Sequence, residues 1–95
     1  MSLPVLVLPE ATAEVKEIFR WYQKRKPGLG LRFQKALQAC YEDLARLPSM
    51  QKRKGEYRHA LVEGFPYRVV YAWHDTVVIY QVRHTSRRPS KQFGP

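Results

Sequence analysis

Three runs rich in β-branched and aromatic residues fill most of the second half of the chain: Tyr57 to Val62, Tyr67 to Trp73 and Val77 to His84. The turns between them are only Glu63-Gly64-Phe65-Pro66 and His74-Asp75. A parallel crossover needs a dozen residues or more, so connections this short make the runs antiparallel neighbours. The third run carries four β-branched residues, Val77, Val78, Ile79 and Val82. Strict alternation along it puts Ile79, Gln81 and Arg83 on one face and Val78, Tyr80, Val82 and His84 on the other.

A three-stranded meander has to bury one face, and the first half of the chain supplies the cover. Leu3-Pro4-Val5-Leu6-Val7-Leu8 has the length of a short strand, with Pro4 near its start or on an edge. Pro9 fits the first turn of a helix, where its missing N–H costs nothing. Val15, Ile18, Phe19 and Tyr22 fall on one stripe, with Trp21 at its margin. Glu10 and Glu14 near the start and Lys24, Arg25 and Lys26 near the end suit the helix dipole. Pro27-Gly28-Leu29-Gly30 is expected to interrupt. A second stripe follows, Phe33, Leu37, Cys40, Leu44 and Leu47, with Ala36 and Tyr41 beside it, and Pro48 ends it. Gln51-Lys52-Arg53-Lys54-Gly55 reads as a basic loop. The expected fold class is α+β in the order β-α-α-β-β-β, a helical hairpin on one face of a small, mostly antiparallel sheet. The other face stays open.

Ninety-five residues suffice for a single domain over 1–95, with 85–95 a basic tail. Hydrophobic residues make up 44% of the chain and aromatics 13%, which argues against disorder. One cysteine, Cys40, excludes an internal disulfide, and its place on an apolar stripe marks it as a small hydrophobe. Three dispersed histidines spell out no metal site. No apolar run approaches the ~18–20 residues of a membrane span. The apolar opening has no basic n-region or cleavage site. A cytoplasmic location is expected, with no cofactor and no membrane partner.

Charge separates the halves. Residues 1–48 hold eight basic and five acidic side chains, a surplus of +3, and residues 49–95 hold nine and three, a surplus of +6, out of +9 in all. A strongly basic domain suits an anionic partner. Arg58, Arg68, Arg83, Arg87, Arg88 and Lys91 lie in or after the strands, and several are expected to converge on the uncovered face or its rim. There is no phosphate loop, nucleophile elbow or paired-histidine motif. Cations around a phosphate are plentiful, but an acid–base pair for metal-free RNA cleavage is not evident. A basic sheet face that docks without chemistry is the reading from another class.

Several local patterns, in this order, resemble the RelE/ParE superfamily of bacterial type II toxins. They are Trp21-Tyr22, Gly28-Leu29-Gly30-x-Arg32-Phe33, Leu47-Pro48, Tyr57-Arg58, Phe65-Pro66-Tyr67-Arg68-Val69-Val70-Tyr71 and Val82-x-His84-x-x-Arg87-x-Pro89. The Pro-Gly-Leu-Gly segment, the Phe-Pro-Tyr-Arg strand start and the His-x-x-Arg pattern look most like the ParE branch.

The resemblance implies a toxin neutralised by a ParD-like antitoxin in a hetero-oligomer, and a role in plasmid stabilisation. It implies one of two targets, DNA gyrase for ParE-like members or the ribosome and its mRNA for RelE-like ones. As a nuclease, the matching positions would be Arg58, Arg68, His84 and Arg87. The lysine expected two residues after Arg58 is replaced by Ala60, and the terminal proton-transfer residue by Phe93, whose ring cannot exchange a proton. Losing such a group typically removes ~10²–10⁴-fold of rate. The gyrase reading is therefore the expectation, with no catalytic residue. Target contacts are expected at Arg83, His84, Arg87, Arg88, Lys91 and Phe93, and antitoxin contacts at Ile18, Trp21, Tyr22 and Tyr41. The antitoxin is expected to lay an acidic amphipathic helix and a strand over the helical hairpin.

Overall fold

Residues 2–49 and 53–86 are described by a computed structural model. Strand β1 (Val5–Val7) runs into helix α1 (Pro9–Arg25), and helix α2 (Leu29–Arg46) follows after a tight turn. Strands β2 (Arg53–Lys54), β3 (Tyr57–Leu61), β4 (Tyr67–Trp73) and β5 (Val77–His84) complete the order. They form one sheet in the order β1-β5-β4-β3-β2. β1 pairs parallel with β5, and the other neighbours are antiparallel. The α+β hairpin-on-sheet architecture holds.

Gly28 makes the interhelical turn. Its φ of 87° is left-handed, a conformation only glycine adopts freely. The helix restarts at once, so Leu29 and Gly30, read from the sequence as part of the interruption, belong to α2. A Cβ on Gly30 would stand 2.8 Å from the Phe19 carbonyl oxygen and 2.6 Å from Gln23 Cγ, so the absent side chain lets α2 approach α1. Gln23 Oε1 accepts the Gly30 N–H at 2.9 Å, which satisfies one of the orphan donors of the new helix.

The core lies between the hairpin and one face of the sheet. Ile18, Tyr22, Phe33, Leu37 and Leu44 meet Ala60, Val69, Tyr71, Val77, Ile79 and Val82. Tyr71 is fully buried and donates its hydroxyl to the Pro48 carbonyl at 2.7 Å, tying the end of α2 to the middle strand. Leu47, placed on the α2 stripe by its spacing, is 59% exposed because the helix ends one residue earlier.

Two features of the sheet differ from the sequence reading. Arg53–Lys54, read as loop, pairs with Tyr57 and Arg58 as the short edge strand β2. In β5, Tyr71 pairs with Ile79 and Val70 with Gln81, so Tyr80 is an extra residue, a β-bulge. A bulge sets two residues against one and reverses the alternation beyond it. Val77 and Ile79 face the helices, and so do Val82 and His84 after the bulge. Val78, Gln81 and Arg83 share the uncovered face. The simple alternation that grouped Ile79 with Gln81 and Arg83 is thereby corrected.

Candidate functional site

Past Ile79, β5 has no strand on its β1 side, since β1 pairs only with Val77 to Ile79. The first turns of α1 cover that gap. Glu14 Oε1 accepts the Val82 N–H at 2.9 Å, and Glu10 Oε1 accepts from Gln81 Nε2 at 3.0 Å. Glu10 and Glu14 sit one turn apart on α1, so both reach the same strand edge. From sequence they signalled only a helix start; their second role depends on tertiary placement.

Next to this edge, α1 and β5 enclose a groove of about 380 Å³. Glu14, Glu17 and Trp21 are on its helix side, Tyr67, Val82 and His84 on its strand side, and Ile18 and Tyr22 are buried at its base. Trp21 is half-exposed, meets the Tyr22 ring edge-on at 5.1 Å and carries the Arg25 guanidinium 4.3 Å above it. Tyr22 continues into a buried aromatic cluster with Phe33 and Phe65, at 5.7 and 5.3 Å. Burial and the nearby Tyr67 raise the Tyr22 pKa. The groove thus has a rigid aromatic base and one exposed aromatic lip, the form of a site for an apolar anchor.

Three of the four residues expected to meet an antitoxin, Ile18, Trp21 and Tyr22, line this groove. Tyr41 does not; its hydroxyl is buried and its pKa is raised, first by desolvation and then by Cys40 and Glu14. Cys40 is half-buried, and desolvation with the nearby Asp43 pushes its thiol up to about 11. It behaves as the small hydrophobe its position suggested.

The basic residues do not all converge. Arg68 and Arg83 are cross-strand partners on the uncovered face, as expected. Arg58 pairs with Tyr71, on the helix side, and donates from Nη1 to the Ser49 carbonyl at 3.3 Å. His84 also lies on the helix side, with its ring 5.2 Å from that of Tyr67. Its Nδ1 accepts the Ser86 N–H at 3.1 Å and lies 2.7 Å from the Ser86 hydroxyl. Arg58 and Arg68 are therefore on opposite faces, and His84 is across the sheet from Arg68. Arg87, Arg88, Lys91 and Phe93 lie outside the described residues. Among the described residues no cluster of metal-binding side chains occurs, and no helix is long and apolar enough to cross a membrane.

This arrangement coincides with a family whose sequence model matches residues 5–89, described as the ParE toxin of the type II toxin–antitoxin system parDE. The chain belongs to the ParE toxin family. A solved structure described as a chromosomal ParDE toxin–antitoxin system from P. aeruginosa shares the ParE fold with it. The TM-score is 0.78 at 12% identity, over 90% of this chain and 98% of that one. No curated protein matches. Family membership makes this ParE chain the toxin type of a type II toxin–antitoxin system, which implies an antitoxin partner.

Proposed function

We propose that this ParE-family chain acts in the cytoplasm by inhibiting DNA gyrase, and that a ParD-like antitoxin neutralises it by occupying the groove between α1 and β5. The observation that carries the reading is the dispersal of the would-be nuclease groups. Arg58 and Arg68 are on opposite faces, and His84 lies across the sheet from Arg68. General acid–base cleavage needs a base and an acid within hydrogen-bond reach of one phosphate. A toxin that works by docking needs only contact residues. Arg83, His84, Arg87, Arg88, Lys91 and Phe93 are proposed to make that contact, and Ile18, Trp21 and Tyr22 to receive an apolar face of the antitoxin. The protein needs no metal or cofactor in this reading.

Purified gyrase provides the test. The full chain is expected to suppress supercoiling, and pre-incubation with the antitoxin to abolish that effect. Phe93→Ala and His84→Ala are each expected to weaken inhibition about tenfold, the effect of losing one interface anchor. Unimpaired supercoiling, with mRNA cut on translating ribosomes instead, would favour the RelE-like reading.

A further inference from the structure

Arg68 and Arg83 lie directly opposite each other on β4 and β5. Like charges in that position destabilise a sheet. Arg68 Nε and Nη2 and Arg83 Nε are shielded from solvent, with no hydrogen-bond partner among the described residues. Nε and Nη2 of one guanidinium are parallel donors, the fork that grips a carboxylate with two bonds. Burial first, and the Arg83 charge second, lower the Arg68 pKa. Shielded donors without acceptors are unfavourable, and a bound anion would relieve all three at once.

Arg83 is held ready. Its Nη1 donates to Gln81 Oε1 at 3.3 Å, and Gln81, only 5% exposed, is fixed in turn by Glu10. Gln81 is a positioning residue in this chain. As whole residues Arg68 and Arg83 are half-buried rather than buried, so part of each side chain already meets solvent and a rotamer change on binding would bring the fork to the surface.

The surroundings indicate the kind of anion. Leu61, the cross-strand neighbour of Arg68, is 71% exposed, and Leu6, toward the far edge of the same face, is 53% exposed. Between them the rings of Tyr57 and Tyr80 meet edge-on at 5.0 Å. Nucleic-acid surfaces array many cations along a phosphate backbone. Arginine and tyrosine beside exposed aliphatic residues are instead the make-up of a protein interface. We propose that the uncovered sheet face is a protein-docking surface on which Arg68 and Arg83 take an Asp or Glu carboxylate from an acidic, leucine-bearing partner segment. The inference does not require gyrase to be the target.

The probe is a short peptide of alternating leucine and glutamate, with its leucine–glutamine counterpart and oligouridylate as controls at constant ionic strength. The arginine Nε–H signals of the full ¹⁵N-labelled chain report binding. The acidic peptide is expected to shift the Arg68 and Arg83 signals saturably, and the glutamine peptide to bind at least about tenfold more weakly. Arg68→Lys and Arg83→Lys keep the charge but lose the fork, and each is expected to weaken binding about tenfold while backbone amide spectra confirm the fold. The proposal is overturned if neither peptide binds, if both bind alike, if the lysine variants bind as the parent does, or if oligouridylate moves the same signals at lower concentration.

Discussion

At the scale of single residues, Gly30 decides how closely the two helices pack. The Phe19 carbonyl below it is backbone and cannot swing away. Gly30→Ala is expected to cost about 1–3 kcal/mol, the range for overpacking a tight contact, despite the higher helix propensity of alanine. Urea denaturation of parent and variant measures it, and an unchanged midpoint would mean that the helices pack less tightly. Cys40 makes a prediction with a sign. Burial first, and the nearby Asp43 second, push the folded thiol from its ordinary value of 9.0 up to about 11, because both disfavour the thiolate. The fold then holds a proton that the unfolded chain releases, so this contribution to stability is complete below pH 9 and falls as pH rises from there through about 11. Unfolding curves at pH 8 and pH 10 should therefore differ more for the parent than for Cys40→Ala. An equal loss in both would place the thiol in water.

At the scale of elements, the edge of β5 beyond β1 is held by side chains from α1. Glu14→Ala leaves the Val82 N–H without its acceptor and is expected to destabilise by about 1–3 kcal/mol, whereas Glu14→Gln, whose amide oxygen still accepts, should cost less. Hydrogen exchange at the Val82 amide checks this, with faster exchange in the alanine variant only. Elements are also where the sequence was easiest to read. Helical stripes such as Val15, Ile18 and Tyr22 and the three β-rich runs have clear periods, and short turns force antiparallel pairing. The Tyr80 bulge was hidden because Val77 to Val82 is nearly all apolar and carries no alternation to betray a phase change. The edge strand Arg53–Lys54 was hidden because its two polar residues owe their conformation to pairing with β3. The candidate groove was legible in Trp21 and Tyr22, but Glu10, Glu14 and Gln81 acquire their roles only when residues about seventy positions apart meet. The arginine pair was legible as charge, and its unfilled donors only as geometry.

At the scale of the whole molecule, a chain with a net charge of +9 presents two separate surfaces. One is the aromatic groove beside α1, and the other is the uncovered sheet face with its paired arginines. An antitoxin in the groove would leave the opposite face reachable, so on the proposed reading neutralisation must also screen the residues that follow β5 in the chain or block access to the target by bulk. Salt discriminates the kind of target contact. A phosphate-based contact loses affinity with a log–log slope of roughly −0.9 per neutralised phosphate on duplex DNA. Docking on a protein surface such as gyrase, even through Arg83, Arg87, Arg88 and Lys91, releases no condensed counterions and should show a shallower slope, measured as inhibition against ionic strength. The most direct measurement is pulse labelling during brief expression in a bacterium without the antitoxin, following DNA and protein synthesis in the first minutes. The gyrase account predicts that DNA synthesis fails first and a DNA-damage response rises. Translation collapsing first, with mRNAs cut at codons, would contradict it.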